Sequence, residues 1–390
     1  MSTHRIVVLG AGYTGLLAAI RLSQRTRRLD VAITLVDPSD RFTERLRLHQ
    51  VAAGQELAVH RIPDLLAGTG VTFVRGRASA IDTAARTVRV DGHGDLAYDE
   101  LVYALGSATD TATVPGAAEH AWTLNGGPAA HDFAVRLAGL AATGGTVAVC
   151  GGGLTGIEAA TEIAESHPGV RVVLISAGEP GAMMGVSARA HLGRALDRLG
   201  IVRHLGQRVV RVLPAGVELA DGAVVAADLT LWTTGVRVSP LAARSGIATD
   251  ARGLVVVDET LKSVSHPEIH AIGDAAAVRQ AWGAVHGTCQ SGLPTAAYTA
   301  DLIARELRGK TVRPFRFGYF HQPVSLGRRD AVIQFTRADD TPGRFVLTGW
   351  AACRYKETVS SSPLTAFRVS RRMPMTVQLS KGGRATRRRG

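Results

Sequence analysis

Cysteine is scarce. Cys150, Cys289 and Cys353 are the only three in 390 residues, widely spaced and with no CxxC among them. That excludes the disulfide framework of a small secreted domain and leaves no ligand set for a structural zinc. An export leader is missing too: the chain runs at once into strand-like "RIVVLG", with no basic, apolar and cleavage segments in the required order. The cytoplasm is the expected compartment. Long apolar runs are equally rare. One uncharged window, residues 137–157, has the length of a membrane span, for which about 20 apolar residues suffice. Seven of its 21 residues are glycine, so it reads instead as a turn and a phosphate-type loop of a soluble α/β protein.

Negative charge is thin at the C-terminus. Residues 351–390 hold ten Lys or Arg against Glu357 alone, so this stretch carries +9 of the net +12 and the body is nearly neutral. A tail ending "RATRRRG" has the charge to attract anionic lipid, nucleic acid or an acidic protein, and peripheral contact with the cytoplasmic membrane face is one reading of it. A solvated, disordered end is an equal reading. No aromatics interleave its basic residues, so no specific nucleic-acid partner is expected.

Glycine is abundant, 44 residues beside 46% apolar content, and at about 100–200 residues per domain the length implies two or three domains. One glycine-rich turn follows the strand "IVVLG" and opens a helix at Tyr13. In this turn Gly10 permits the tight reversal, Gly12 admits a pyrophosphate to the backbone, and Gly15 lets helix and strand pack closely. The next strand, "VAITLVD", ends at Asp37, where an acid accepts hydrogen bonds from ribose hydroxyls. Strand, turn, helix and acid together point to an adenine dinucleotide.

The plan then repeats. "TVAVC" precedes Gly151, Gly153 and Gly156, a helical "LTGIEAATEIAE" follows, and "VRVVLIS" ends at Ser176. Downstream, both copies run helix end, glycine, strand, a strand pair around a polar turn, and a last strand closing at Gly106 or Gly235. Self-similarity on this scale indicates duplication. The expected fold is α/β, with two Rossmann-like dinucleotide-binding domains, the second inserted in the first, and a small C-terminal region. The limits are 1–112 with 241–325, then 113–240, then 326–390. Ser176 replaces the ribose-binding acid, so NADPH is tolerated, yet no arginine adjoins it; Glu179 is the nearest acid.

These motifs resemble the two-dinucleotide flavoprotein superfamily, and within it the type II NADH dehydrogenase-like group, over roughly residues 5–327. Gly10, Gly12, Gly15 and Asp37 match its FAD fingerprint, and Gly151, Gly153, Gly156 and Glu158 match its GGGxTGxE pattern. "LVYALGSATD", with Leu105 for the usual threonine, resembles the strand at the domain crossover. "HPEIHAIGDAAAV" resembles the second FAD motif, which implies flavin contacts for Gly273 and Asp274. "HGTCQSGLPTAAYTADLIAREL" matches the following helix, with Pro294 read as its start or a kink and Gly309 as its stop. The resemblance implies FAD, NAD(P)H and hydride transfer from nicotinamide to flavin N5.

The disulfide reductases of this superfamily carry a CxxxxC pair soon after the first acid; here "RFTERLRLHQVAAG" has no cysteine. Electrons are therefore expected to pass from flavin to an external small acceptor, a quinone among the candidates. Gln50 and Gly54 are expected near the flavin, and His49 reads as a structural histidine in preference to a proton relay. Gln290 fits the first glutamine of the family's quinone pair, whereas Pro294 occupies the place of the second. The C-terminal part reads as short strands and then a helix, in which Leu364, Phe367, Val369 and Met373 make a poor amphipathic stripe bracketed by Pro363 and Pro374. Reduction of a ferredoxin-like protein, secondary-metabolite tailoring and a flavin-bearing redox sensor remain the alternatives. A homodimer is neither demanded nor excluded.

Overall fold

The computed structural model describes residues 3–373. Pro374 and the basic stretch beyond it, with the docking roles expected of that tail, lie outside the described residues.

Five short strands form a parallel sheet in the order Ile269–Ala271, Glu100–Tyr103, His4–Leu9, Val31–Asp37, Thr72–Arg75. Val7, Val8, Leu9, Leu101 and Val102 are all buried, so successive positions, which point to opposite faces, both meet protein. This is why these strands read as continuous apolar runs without alternation. A second parallel sheet has the order Trp122–Thr123, Leu229–Trp232, Thr146–Cys150, Arg171–Ser176, Val202–Leu205. The sheets match strand for strand, with one difference. The first draws its edge strand, Ile269–Ala271, from beyond the second sheet, whereas the second draws Trp122–Thr123 from just before its own leading strand. Each copy also carries a three-stranded antiparallel sheet, residues 78–97 in one and 209–226 in the other.

Where the copies meet, Ser107–Thr109 pairs antiparallel with Val236–Val238. Each crossover strand follows directly on a left-handed glycine, Gly106 (φ 65°) or Gly235 (φ 77°). The glycines therefore turn the last strand of each copy toward the other.

The uncharged window at 137–157 is broken into the end of helix Gly127–Thr143, strand Thr146–Cys150 and the start of helix Leu154–Ser166. Among the described residues no helix is long and apolar enough to cross a membrane. The late helix spans Cys289–Glu306, so Pro294 lies inside it and does not start it. Thr288 accepts from the Ser291 amide and the Ser291 hydroxyl accepts from the Thr288 amide, a reciprocal cap that sets the start five residues earlier. Residues 321–348 form three antiparallel strands, followed by helix Gly349–Ser370. Pro363 lies within that helix, and its apolar residues are not a lipid-facing stripe: Leu364 and Phe367 are buried in the first domain's core, with Phe367 edge-on to Phe42 at 5.4 Å.

The first helix, Tyr13–Thr26, and the late helix are tied by Arg21 and Arg25, both donating to Asp301. Arg21 is almost fully buried, whereas Asp301 is a third exposed. Asp301→Asn should cost stability toward the lower end of the about 3–5 kcal/mol seen when one partner of a buried pair is lost, read as a lowered urea midpoint.

Candidate active site

Each glycine-rich turn is shaped by contacts that no side chain would allow. A Cβ on Gly15 would lie 1.8 Å from the Gly10 carbonyl oxygen, and one on Gly156 would lie 1.9 Å from that of Gly151. Gly10 (φ 96°) and Gly151 (φ 131°) take left-handed backbone against Ala104 and Thr233, the closing segments of their own copies. Gly12 and Gly153 differ: a Cβ on either meets nothing within 4 Å. These are the N-cap residues of helices Tyr13–Thr26 and Leu154–Ser166, which have no side-chain cap and no acid in the first turn. Uncapped amides, the positive end of the helix dipole and open space above a glycine suit a phosphate in both copies.

At the first turn, Asp37 accepts hydrogen bonds from the Ala11 amide at 2.7 Å and the Ser39 amide at 2.9 Å. Burial raises its pKa, and these amides with Arg77 work against the rise. The acid is thus pinned beside the turn, where a dinucleotide's ribose would lie. At the other end Asp274 accepts from the Ser107 hydroxyl at 2.7 Å, and Gly287 packs so closely that a Cβ there would come within 2.5 Å of Asp274 Oδ1. Gly273 (φ 66°) and Gly292 close on Thr14, which joins the starts of the first and late helices. Gly10, Gly12, Gly15, Asp37, Gly106, Gly273 and Asp274 thus line one region of the first copy. In the second copy Ser176 is buried beside Gly152, whose Cβ would stand 2.2 Å from the serine hydroxyl, and no carboxylate replaces it.

The other expected residues are distributed differently. The two ends of the Gln290 amide bond backbone: Nε2 donates to the His321 carbonyl and Oε1 accepts from the Phe320 amide, both at 2.8 Å. Gln50 is buried in the short helix Leu48–Ala52, which packs against helices Gly127–Thr143 and Leu154–Ser166 of the second copy. Gly54 follows the end of that helix, 4.0 Å from His167 Nε2 at its Cβ position.

Glu158 sits in a buried polar seam between the helix that carries it and the C-terminal sheet. It takes Lys356 Nζ at 2.7 Å and the Ser325 amide at 3.0 Å, with His49 Nδ1 at 3.7 Å. Burial pushes its carboxyl up, but Lys356 and His49 outweigh that and bring it below the usual value. One turn on, Glu162 accepts from Gln55 and lies 3.7 Å from Arg328; burial lifts its pKa to about 7. His49 and His321 are driven down to about 4, chiefly by burial. His49 Nε2 has no hydrogen-bond partner, so it is not the satisfied structural histidine expected. Sequence reasoning missed Lys356, whose only visible signal is one Lys inside "YKETV". The thiols of Cys150 and Cys289 are raised to about 12, chiefly by burial, and all three cysteines are free.

Paired glycine cradles on duplicated parallel sheets, joined by a crossover ladder, define a two-dinucleotide-domain α/β protein. Residues 4–300 match the family model described as pyridine nucleotide-disulphide oxidoreductase, and the chain belongs to that family. It is 33% identical over 353 residues to an NADH dehydrogenase-like protein of Mycobacterium tuberculosis, covering 84% of this chain and 87% of the relative. It is 30% identical to the alternative NAD(P)H-ubiquinone oxidoreductase C1 of Arabidopsis thaliana, covering 84% of this chain and 72% of that one. The sulfide:quinone oxidoreductase of Aquifex aeolicus shares the fold, with a TM-score of 0.81 at 20% identity over 94% of this chain and 92% of that chain.

Gly12→Ala should leave thermal stability nearly unchanged while lowering retained flavin, because its Cβ enters only the cradle. Gly15→Ala should instead destabilise by about 1–3 kcal/mol or more through overpacking; melting curves and flavin absorbance separate the two.

The buried titratable groups set opposed pH responses. His49 and His321, with folded values near 4 against an ordinary 6.5, contribute stability present above 6.5 and lost as pH falls toward 4. Glu162, near 7 against 4.5, does the reverse: its charged form is penalised above 7, and the penalty lifts as pH falls. Urea midpoints should show Glu162→Gln more stable than wild type at high pH with little gain in acid, and His49→Gln with a flatter loss between 6.5 and 4.

Proposed function

We propose that this chain is an FAD-dependent NAD(P)H:acceptor oxidoreductase that passes electrons directly to a quinone or similar small acceptor. The observation that carries this is the pair of near-identical cradles in a chain whose three cysteines are all free. Two cradles accommodate two dinucleotides, and without a redox dithiol the electrons have no covalent relay within the protein. The family and the quinone-reductase names among its relatives support the same reading.

FAD and NAD(P)H, when bound, supply the hydride chemistry: two electrons and a hydrogen move from nicotinamide to flavin. The chain supplies position and field. Gly10, Gly12 and Gly15 hold the FAD pyrophosphate, Asp37 its ribose, and Ser107 with Asp274 its flavin end, with Gly106 and Gly273 shaping the backbone there. Gly151, Gly153 and Gly156 hold the nicotinamide dinucleotide, with Ser176 and Gly235 at the edges of its site. This assigns 1–112 with 241–325 to FAD, 113–240 to NAD(P)H and 326–390 to the C-terminal region.

Lys356, linked to Glu158 and the Pro323 carbonyl, places a buried cation where the second copy meets the C-terminal sheet. Gln290 acts by fixing the Phe320–His321 backbone, and Gln50 is buried on the short helix that meets the second copy.

Anaerobic titration tests the reading: NADH and NADPH should each bleach the flavin, and failure of both would remove it. Because an acid repels the 2′-phosphate, Ser176→Asp should lower kcat/KM for NADPH relative to NADH by about tenfold or more, 1.4 kcal/mol.

A further inference from the structure

We propose that His286 and Asp340 form the proton-supplying pair for reduction of the acceptor, an inference that rests on the NAD(P)H:quinone reading. His286 immediately precedes Gly287, the residue packed against Asp274, so its backbone runs beside the end of the first cleft proposed for the flavin. Its Nε2 is 3.1 Å from Asp340 Oδ2. The histidine side chain is 55% exposed, whereas that of Asp340 is only 13% exposed. One partner therefore meets solvent while the other anchors it.

The imidazole is fixed from two further sides. It stacks on Tyr319 with ring centroids 4.4 Å apart and planes within 10°. The Tyr319 hydroxyl in turn donates to the His286 carbonyl, and its ring is wedged by Trp282 and Phe317.

Asp340 is one of the few non-glycine residues with left-handed backbone, φ 65°. That conformation is held by the Arg337 carbonyl, which accepts from its amide, and by Gln322 Nε2, which donates to its carbonyl. Its Oδ1 is buried with no hydrogen-bond partner. A carboxylate placed by a costly backbone, with one oxygen on a histidine and the other uncompensated, is arranged for that histidine and not for the stability of its turn.

The chemistry needs such a group. Reducing a quinone to a quinol takes two electrons and two protons. Hydride from NAD(P)H accounts for both electrons and one hydrogen; the second proton must come from water. His286 takes that proton at Nδ1 and passes it to a quinone oxygen, while Asp340 holds the Nε2–H tautomer and offsets the transient imidazolium charge. Ferricyanide, which accepts electrons without protons, bypasses this step.

Stopped-flow measurements on the FAD-loaded full chain separate the steps. In His286→Ala, bleaching by NADH should match wild type, reoxidation by menadione should slow about 10²-fold, and reoxidation by ferricyanide should be unchanged. Added imidazole should restore the menadione rate, and kcat for menadione should fall without a matching rise in KM. Asp340→Asn, which suits the same backbone, should show the same pattern more weakly and carries the test if His286→Ala loses flavin. The pair is overturned if both acceptors slow together, or if menadione reoxidation is unaffected. Wild-type protein that neither nicotinamide bleaches would instead overturn the functional reading itself.

Discussion

The closest approach in each nucleotide cradle is between a helix and the turn that leads into it. With the Gly10 and Gly151 carbonyls where the Gly15 and Gly156 side chains would otherwise stand, each helix starts directly above the end of its strand. The rest of each cradle follows from that contact. The helix N-terminus is left with uncapped amides over Gly12 or Gly153, and the neighbouring strand end is close enough for Asp37 to reach the Ala11 amide. The closing strand in turn fits under Gly10 or Gly151. One forbidden methyl group thus aligns a strand, a helix dipole and an acid on a single point, twice over.

Insertion of the second copy imposes a different constraint. The first sheet is incomplete until Ile269–Ala271 arrives, more than 160 residues after Glu100–Tyr103, its neighbour. The returning segment brings Asp274 to Ser107 and leads on to the late helix, which Arg21 and Arg25 fasten to the first helix through Asp301. The end of the cleft around Asp274 and Ser107 is therefore built from three stretches of chain, while the end around Asp37 belongs to the first forty residues. The crossover pair 107–109 and 236–238 closes the remaining gap, so the copies are tethered at the glycines where each closing strand leaves its sheet.

This division explains what the sequence makes legible. The cradles, Asp37, the missing acid at Ser176 and the duplicated strand order are written locally, because glycine spacing and β-branched runs are demanded by backbone sterics within about thirty residues. Contacts across the insertion have no such period. The partner of Glu158 is Lys356, almost 200 residues away, and the GGGxTGxE pattern alone carries no hint that its acid turns toward the C-terminal sheet. Gln290 resembles a ligand-binding glutamine, yet its amide is matched by two backbone groups of the 320–321 segment. Pro294 reads as a helix start or a kink; the Thr288–Ser291 cap sets the start earlier and leaves the proline inside the helix. Phe367 looked like part of a weak surface stripe because its partner, Phe42, lies far back in the chain, in the first glycine-cradle copy.

The seam along helix Leu154–Ser166 gives the last step of the physical picture. Glu158, Glu162 and Glu165 are spaced four and three residues apart, so they share one face of the helix. That face meets Lys356, His49, Gln55 and Arg328 instead of an apolar surface. Burying such groups costs more than an apolar seam of equal volume would, so their presence requires another reason than stability. At Glu158 the Lys356 ammonium, helped by His49 and the Ser325 amide, keeps the carboxyl below its ordinary range, whereas at Glu162, one turn away, burial prevails and the value rises to about 7. Adjacent carboxyls on one helix face thus sit in opposed environments, one paired with Lys356 and the other dominated by burial beside Arg328, whose guanidinium is half exposed.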